Sequence, residues 1–435
     1  VIEPVLGVVV VVALVARWRR RGGEVEGEAT AWTAADAVRP VPRALARLGE
    51  VRAVNAGALA VVAAVALALP TVLSGGQVFK ASALLVYAVL GLSLVLLSGW
   101  AGMVSLGQVA LFAVGAATGG AAMLRWDLDL LPALVVAAVA GAAVATVVGL
   151  PALRLRGLSL AVTTFAFALA TTSYLLNDDF FGWVPDERIE RPPLLGGVEI
   201  ASETGMYYLA LAALVVVALA LRGIRTARFG RALMALRDND RAAQAYAIDP
   251  VRAQLGAFAL SGAVAGLAGA LFVFHERAFD SSSYSPIENL VVFTMVVVGG
   301  MSTLAGAVLG ALFLFGARWF LDTEWQFLAS GIGVLLVLLV APGGLASLLY
   351  GVRDRWLRAV AIRRSLAVPG YGADPVPGLT AAAGGSGGAA APGAAGSTGG
   401  DGSPAANGSP AAADGGTTPT PDTAGIPGGP AAGVE

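Results

Sequence analysis

Ten stretches of about 20 apolar residues follow one another through most of this sequence, separated by short polar segments. An α-helix needs about 20 such residues to cross the hydrocarbon core of a membrane. Within that core, only helices and closed barrels satisfy their own backbone hydrogen bonds. The pattern therefore predicts an all-α integral membrane protein, a polytopic bundle of about 10–11 transmembrane helices. The predicted spans are 55–72, 82–98, 101–123, 130–150, 158–176, 206–221, 254–274, 288–304, 305–321 and 327–345.

Three places in the span pattern can be interpreted in more than one way. An eleventh apolar segment, residues 4–16, is short for a span, so it is either a tilted anchor or part of a longer helix. Its basic run follows the apolar run, which is the reverse of a cleaved signal peptide. Linkers are nearly absent at 99–100 and at 304–305, so we expect a re-entrant or broken helix at one of these places.

The arginines predict which loops lie inside the cell, because Lys and Arg accumulate in cytoplasmic loops. Eight Arg lie in 17–52, two in 152–157, seven in 222–253 and five in 353–364. Segment 177–205 instead holds seven acidic residues and two Arg, as expected of an external loop. Placing the Arg-rich segments inside gives a consistent alternation of spans.

The chain divides into four predicted regions. Residues 1–53 are a short apolar segment and a basic cytoplasmic linker, 54–348 are the transmembrane domain, and 349–365 are a basic cytoplasmic segment. Residues 366–435 are rich in Gly, Ala, Pro and Ser and have few bulky apolar residues, so they cannot bury a core. We expect this tail to be disordered and cytoplasmic.

Residues 73–77 read "LSGGQ", the signature of ATP-binding-cassette ATPases, and raise the question of nucleotide binding. A phosphate loop also needs Gly-Lys followed by Ser or Thr. The single lysine, Lys80, is followed by Ala81, so the chain has no such loop. We interpret the motif as a turn after Pro70, with no ATPase activity and no catalytic residue in this chain.

Composition excludes several other classes of function. The net charge of −1 argues against a nucleic-acid partner, and the lack of cysteine together with the single histidine predicts no metal site. The predicted spans carry no ionisable residue well inside the membrane, which disfavours a proton-driven carrier. An ion-coupled carrier acting alone remains an alternative, because Na⁺ can bind carbonyls and hydroxyls. A membrane scaffold is a third possibility.

The largest internal loop, 222–254, has two interpretations. It is either a solvated basic loop or a short cytoplasmic helix that docks on another protein. From Phe229 to Ala247 its apolar residues have helical spacing. Mixed charges and small residues favour docking on a protein over binding to a lipid surface.

Four ordered motifs between about 80 and 345 resemble the branched-chain amino acid ABC permeases, specifically LivM-type subunits. They are "LLSGWAGMVSLGQVALFAVGA" (96–116), "LRLRGLSLAVTTFAFA" (153–168), "GRALMALRDNDRAAQAYAIDPVRAQLGAFALSGAVAGLAGALF" (230–272) and "VVVGGMSTLAGAVLGA" (296–311). Ala247 departs from the third motif, where the family usually has Gly.

The resemblance implies a multi-pass permease in a bacterial plasma membrane, without its own ATPase site or bound cofactor. It implies four partners: a LivH-type permease subunit, two cytoplasmic ATPases that hold ATP and Mg²⁺, and an extracytoplasmic binding protein. The ATPase-coupling loop would comprise Gly230, Arg231, Ala235, Arg237, Asp238, Asn239, Asp240, Ala242 and Ala243. Branched-chain amino acids are the expected substrate, and urea or short amides, carried by the same family, are an alternative.

Polar side chains within the predicted spans are the candidates for the substrate path. They are Ser105, Gln108, Thr163 and Thr164. The competing interpretation is hydrogen bonding between helices, worth about 0.6–2 kcal/mol each.

Overall fold

The fold is mainly helical in the part of the chain that the computed structural model describes, and these ranges contain no strand. Eight helices are long and apolar enough to cross a membrane, and a bent helix pair brings the number to nine if it is one span. The predicted all-α polytopic fold is confirmed. The predicted segment 4–16 and the tail 366–435 lie outside the described residues. Those residues are 42–153, 157–176, 183–185, 188–191, 193, 194, 202–320, 331 and 333–364.

The helices are numbered here in chain order, and α3 and α6 each continue into a short π-helical segment, Val95–Trp100 and Thr171–Leu175. The helices are α1 Arg43–Ala46, α2 Gly49–Val72, α3 Gly75–Leu94, α4 Gln108–Trp126, α5 Leu130–Ala152, α6 Leu158–Ala170, α7 Glu203–Thr226, α8 Arg228–Asp238, α9 Asp240–Ala245, α10 Pro250–Glu276, α11 Glu288–Gly299, α12 Leu304–Phe320, α13 Val334–Val340 and α14 Leu345–Arg363.

Helices α4, α5 and α10 form the most closely packed part of the bundle, because glycines remove the side chains between them. A Cβ atom at Gly269 of α10 would lie 1.8 Å from the carbonyl oxygen of Phe112 in α4. One at Gly266 would lie 2.4 Å from the carbonyl oxygen of Ala137 in α5. Apolar helices in lipid associate by such close backbone approach. The small-residue pattern of α10 is therefore a packing surface.

The predicted span 101–123 begins later than expected, because residues 101–107 are not helical and α4 starts at Gln108. Non-helical backbone inside a bundle must be satisfied by protein groups. The N–H of Met103 donates to the carbonyl of Leu97 at 3.1 Å, and the N–H of Leu106 donates to the Thr164 hydroxyl at 2.9 Å. The expected interruption after residue 99 is therefore present, and neighbouring groups complete its hydrogen bonds.

The predicted spans 288–304 and 305–321 are instead two helices, α11 and α12, whose axes bend by 118°. They fold back onto one another, since a Cβ atom at Gly310 would lie 2.0 Å from the carbonyl oxygen of Met295. An ion pair of 3.4 Å joins Glu288, where α11 begins, to Arg318 near the end of α12. With 12 residues, α11 is about 18 Å long, which is shorter than the roughly 20 residues of a usual span. The pair is therefore a hairpin that enters and leaves at the same end of the bundle.

The tip of this hairpin, residues 300–303, lies against the end of α3. A Cβ atom at Gly99 would lie 2.0 Å from the Met301 carbonyl oxygen, and the Trp100 indole N–H donates to the Ser302 carbonyl at 3.2 Å. We call this the basic end of the bundle, because Arg237 of the Arg-rich segment 222–254 bonds to Gly99 here, and the helix that carries most of the Arg-rich segment 353–364 starts here, at Gly344. The opposite end holds the segments that join α4 to α5 and α10 to α11.

Residues 337–363 meet the length and composition of a span, but the chain is interrupted between α13 and α14. Gly344, at φ 79°, occupies the left-handed region, and a Cβ atom there would lie 2.5 Å from the backbone nitrogen of Gly300. The start of α14 is therefore held at the hairpin tip. The predicted boundary between 348 and 349 falls inside α14.

The segment "LSGGQ" begins a helix. The chain turns at Leu73 and Ser74, and α3 starts at Gly75. The Gln77 side chain reaches back and accepts a hydrogen bond from the Ser74 N–H at 3.0 Å, which is half of a capping box. The prediction of a turn was correct for Ser74, whereas Gly75 and Gly76 belong to the helix.

Candidate functional site

The predicted coupling loop folds into two short helices, α8 and α9, which meet at Asn239 and form an elbow at the basic end. Asn239 has an extended backbone (φ −157°, ψ 99°), which ends α8. Its side chain accepts a hydrogen bond from the Ala242 N–H at 3.0 Å and so begins α9. Asp240 accepts from the Gln244 amide at 3.0 Å within the same short helix.

Three apolar side chains hold the elbow against the bundle. Leu233 and Leu236 of α8 are buried, as is Ala243 of α9, and all three belong to the main core. Ala235 is half-buried beside them, and Ala242 is exposed. The elbow therefore has one face in the bundle and one face in solvent.

Arg237 connects the elbow to the transmembrane helices. Its guanidinium donates to the carbonyl oxygen of Gly99 at 2.6 Å and also to the Asp238 carboxylate at 3.0 Å. Gly102 lies against the Arg237 side chain, where a Cβ atom would be 2.6 Å from Cγ. Gly99 in turn touches the hairpin tip at Met301. One side chain thus joins α8, the π-helical end of α3 and the hairpin.

Two further backbone positions define the shape of the elbow. A Cβ atom at Gly230 would lie 2.3 Å from the Ile224 carbonyl oxygen, so glycine permits the tight turn from α7 into α8. Ala247, where the resemblance expects Gly, has φ 60° in the left-handed region that favours Gly. The departure from the motif therefore lies at a residue whose backbone conformation glycine adopts without a steric cost.

The outer face of the elbow is exposed and of mixed charge. Tyr246 at the end of α9 is 84% exposed. Arg231, Asp238 and Arg241 of the elbow are also exposed. A bulky aromatic side chain in solvent beside charges of both signs is a common composition for a protein interface.

A second set of polar groups lies inside the bundle, where α4 begins. The Gln108 amide donates to the Ser261 hydroxyl of α10 at 2.8 Å. The Ser93 hydroxyl of α3 lies 3.4 Å from Oε1 of Gln108, and the Ser261 hydroxyl donates to the carbonyl of Ser93 at 2.9 Å. All three side chains are buried. Gln108 therefore joins three helices at the interruption before α4.

Three more buried side chains complete the start of α4. Asn289 of α11 accepts a hydrogen bond from the Val109 N–H at 2.8 Å. Thr164 of α6 accepts from Leu106, as described above, and Ser105 accepts from the Gly107 N–H at 3.3 Å. The sequence analysis missed Ser93, Ser261 and Asn289. Their signal was an isolated polar residue in an apolar helix, which usually faces another helix or a cavity.

The structure separates Thr163 from the other three candidates for the substrate path. Its side chain is exposed and donates to the Ser159 carbonyl of its own helix at 2.9 Å. Ser105, Gln108 and Thr164 lie together at the start of α4. Among the residues that the structure describes, no group of three or more His, Asp or Glu side chains is placed to hold a metal ion.

Comparisons with known proteins match most of the described helices to one family of membrane permeases. The family model "Branched-chain amino acid transport system / permease component" matches residues 78–352. The chain is 31% identical over 307 residues to the high-affinity branched-chain amino acid transport system permease protein LivM of Salmonella typhimurium, covering 65% of this chain and 72% of that protein. The Escherichia coli protein of the same name is 31% identical over 306 residues, covering 64% of this chain and 72% of that protein.

A more distant relative belongs to a second type of permease. The probable branched-chain amino acid transport permease protein LivH of Methanocaldococcus jannaschii is 32% identical over 130 residues, which cover 27% of this chain and 40% of that protein. No solved structure matches the chain. The matched residues 78–352 include the elbow, the buried polar cluster and the hairpin. This multi-pass membrane protein belongs to the family of permease components of branched-chain amino acid transport systems.

Proposed function

We propose that this chain is the membrane-spanning subunit of an ATP-driven importer of branched-chain amino acids in a bacterial plasma membrane, with its basic end in the cytoplasm. The relatives are permeases of branched-chain amino acid transport systems, and Arg-rich ends of membrane proteins face the cytoplasm. A LivH-type permease is the proposed second subunit, because this chain also resembles one. An extracytoplasmic binding protein would deliver the substrate to the opposite end.

The elbow is the proposed docking site of one of the two ATPases, which would hold ATP and Mg²⁺. The observation that supports this is the contact of Arg237 with Gly99. A push on the exposed face of α8 and α9 would reach the end of α3 and the hairpin tip through that hydrogen bond. Alternating access needs such an element with a different position in each state.

The proposed substrate path runs past Ser105, Gln108 and Thr164. These buried polar groups lie beside interrupted backbone, which in transporters is found where it lines a cavity or is buried in protein. We leave Thr163 out of the path because it faces away from them.

Two variants of the elbow test its two proposed properties separately: binding of the ATPases by its exposed face, and coupling to transport through Arg237. Arg237→Ala removes the half-buried hydrogen bond to Gly99 but leaves the exposed face intact. We therefore expect the ATPases to bind while ATP-dependent uptake of leucine falls by about tenfold or more, since a hydrogen bond from a charged group contributes roughly 1.5–3 kcal/mol. Tyr246→Ala together with Asp240→Arg alters the exposed face, so we expect the ATPases to be lost on purification. Co-purification and vesicle uptake measure the two effects.

Arg228→Gln is the matched control, because this arginine is exposed at the start of α8. Unchanged uptake by Arg237→Ala would contradict the coupling role of the elbow. Transport of leucine by the reconstituted chain without any ATPase would overturn the proposal and establish a carrier that acts alone. ATP-dependent uptake of urea but not leucine would keep the mechanism and change the substrate.

A further inference from the structure

Helix α14 has the composition of a membrane-surface helix. It carries four Arg and one Asp, and Arg364 follows directly after its end. Large apolar side chains are exposed along it: Leu348 at 48%, Leu349 at 56%, Val352 at 63% and Ile362 at 63%. Exposed apolar side chains beside arginines can contact acyl chains and headgroups at the boundary between them.

The exposed apolar side chains of α14 lie mainly along one face of the helix, with one arginine among them. Leu348, Val352, Ala359 and Ile362 follow the spacing of one helical face, which is interrupted only by Arg355. Both Arg355 and Arg358 are exposed. Arginine in such a stripe extends its apolar stem along the acyl boundary and places its guanidinium among headgroups.

The two ends of α14 are held at the same end of the bundle. Its start lies at the hairpin tip, where Gly344 packs against Gly300. Its last turns pack on the beginning of α2, in a small core made of Leu45, Val51, Leu357, Val360 and Ala361. An ion pair between Arg364 and Glu50 closes this contact.

These two attachments define the direction of the helix. The hairpin tip touches the basic end of α3. The far end of α2 is hydrogen-bonded to Tyr207 and Tyr208 near the start of α7, which is the end of α7 opposite the elbow, so α2 begins at the basic end. A helix that joins two points at one end of the bundle runs along the membrane surface. The same residues cannot then be the span that length and composition would allow for 337–363.

We propose that α14 lies in the plane of the cytoplasmic membrane surface and binds the headgroups of anionic phospholipids. Charge complementarity selects this occupant: exposed Arg355, Arg358 and Arg363 on the helix are joined by exposed Arg47 and Arg52 of the adjacent segment. Juxtamembrane arginines gain about fivefold in binding per charge at an anionic surface. The proposal rests on the orientation given under the proposed function.

The absence of cysteine makes the position of α14 directly measurable. Single cysteines placed at Leu348, Val352 and Ile362 of the full chain take a spin label each. Their accessibility to oxygen and to a water-soluble nickel chelate then gives their depth in vesicles of phosphatidylcholine and phosphatidylglycerol. We expect all three labels at one depth, close to the headgroups. A span would separate the first and last labels by about 21 Å of depth, and this result would overturn the proposal.

Labels that neither reagent reaches would mean that a protein covers the helix, which would also overturn the proposal. Headgroup selectivity is tested by native mass spectrometry of the purified chain with each lipid. We expect retention of phosphatidylglycerol to weaken by about 25-fold in Arg355→Gln/Arg358→Gln, and to persist in Arg355→Lys/Arg358→Lys. Arg231→Gln/Arg241→Gln, on the elbow, is the control with the same change in charge.

Wild-type protein supplies an independent measurement that needs no variant. Its retention of phosphatidylglycerol should fall between about 0.05 M and about 0.5 M salt, because exposed charges are screened. Equal retention of phosphatidylcholine and phosphatidylglycerol would contradict the binding of anionic headgroups. Loss of uptake in Arg237→Ala bears on the proposed function alone, so the two proposals fail separately.

Discussion

Helices α2 and α3 are neighbours in the sequence and have similar length and hydropathy, but their surroundings are opposite. In the most apolar part of α2 only 6% of residues are buried inside the protein, whereas in α3 with its π-helical end the fraction is 94%. α3 contacts α4, α7, α10, α11 and α12. α2 lies on the outside of α7, to which two tyrosine hydroxyls connect it.

The difference shows that hydropathy decides whether a helix enters the membrane but not what it packs against. Lipid tails are as apolar as leucine side chains, so burial of apolar surface drives no choice between lipid and protein. Close packing and hydrogen bonds make that choice. The family match begins at residue 78, so it includes nearly all of α3 and excludes α2.

The largest expected effect is a loss of unfolding free energy, and it tests whether close packing distinguishes the central helices from α2. Gly269→Val places a side chain where the backbone of Phe112 already lies, so we expect a loss of about 3 kcal/mol or more of unfolding free energy. Gly57→Val in α2 is the matched control, because nothing lies within 4 Å of the position of its Cβ atom. Denaturant unfolding in mixed micelles measures both. Equal losses would show that α2 is covered in the working protein.

The next effect tests hydrogen bonding. Gln108→Leu removes the side chain that joins three helices, and we expect a loss of about 1 kcal/mol, since Ser93 and Ser261 keep bonds to carbonyl groups. Thr163→Val serves for comparison, because this exposed threonine bonds only within its own helix, and we expect no measurable loss. The same unfolding measurement applies. If Thr163→Val and Gln108→Leu lowered the free energy of unfolding equally, Thr163 would lie in an interface between helices.

The smallest effect concerns the attachment of α2. The Tyr207 hydroxyl donates to the Ala66 carbonyl at 2.8 Å, and that of Tyr208 donates to the Leu67 carbonyl at 3.0 Å. In Tyr207→Phe/Tyr208→Phe we expect α2 to loosen by about 0.5 kcal/mol per bond while the bundle keeps its stability. Distances between spin labels on Leu59 and Leu219 would broaden. Unchanged distances would mean that packing alone holds α2.

Much of the fold followed from the sequence because membrane crossing is a local property of about 20 residues. Seven of the predicted spans correspond to long helices of the structure, from α2 to α10. The predicted pair at 288–321 was found as a hairpin instead, since apolar length cannot distinguish a full span from two shorter helices that fold back. Predicted segments 4–16 and 366–435 lie outside the described residues, so those predictions stay as they were.

The sequence predicted some parts of the candidate site and not others, because helical spacing is visible in consecutive residues and contacts between distant residues are not. A helix was one of the two interpretations of the elbow, because its apolar residues have helical spacing. The break at Asn239 and the contact of Arg237 with Gly99 were not predicted, because the two residues of that contact are far apart in the sequence. Similarly, Gln108 was a candidate, while its partners Ser93 and Ser261 were missed.

The sequence by itself determined that the chain is helical, that it lies in a membrane, and which loops carry the arginines. These properties depend on the chemistry of consecutive residues in a uniform apolar solvent. The tertiary structure decided which helices are central, where the chain turns back, and that α14 joins two points at the basic end. Those outcomes depend on close approaches between glycines and on single hydrogen bonds between distant residues, which the composition of a helix does not specify.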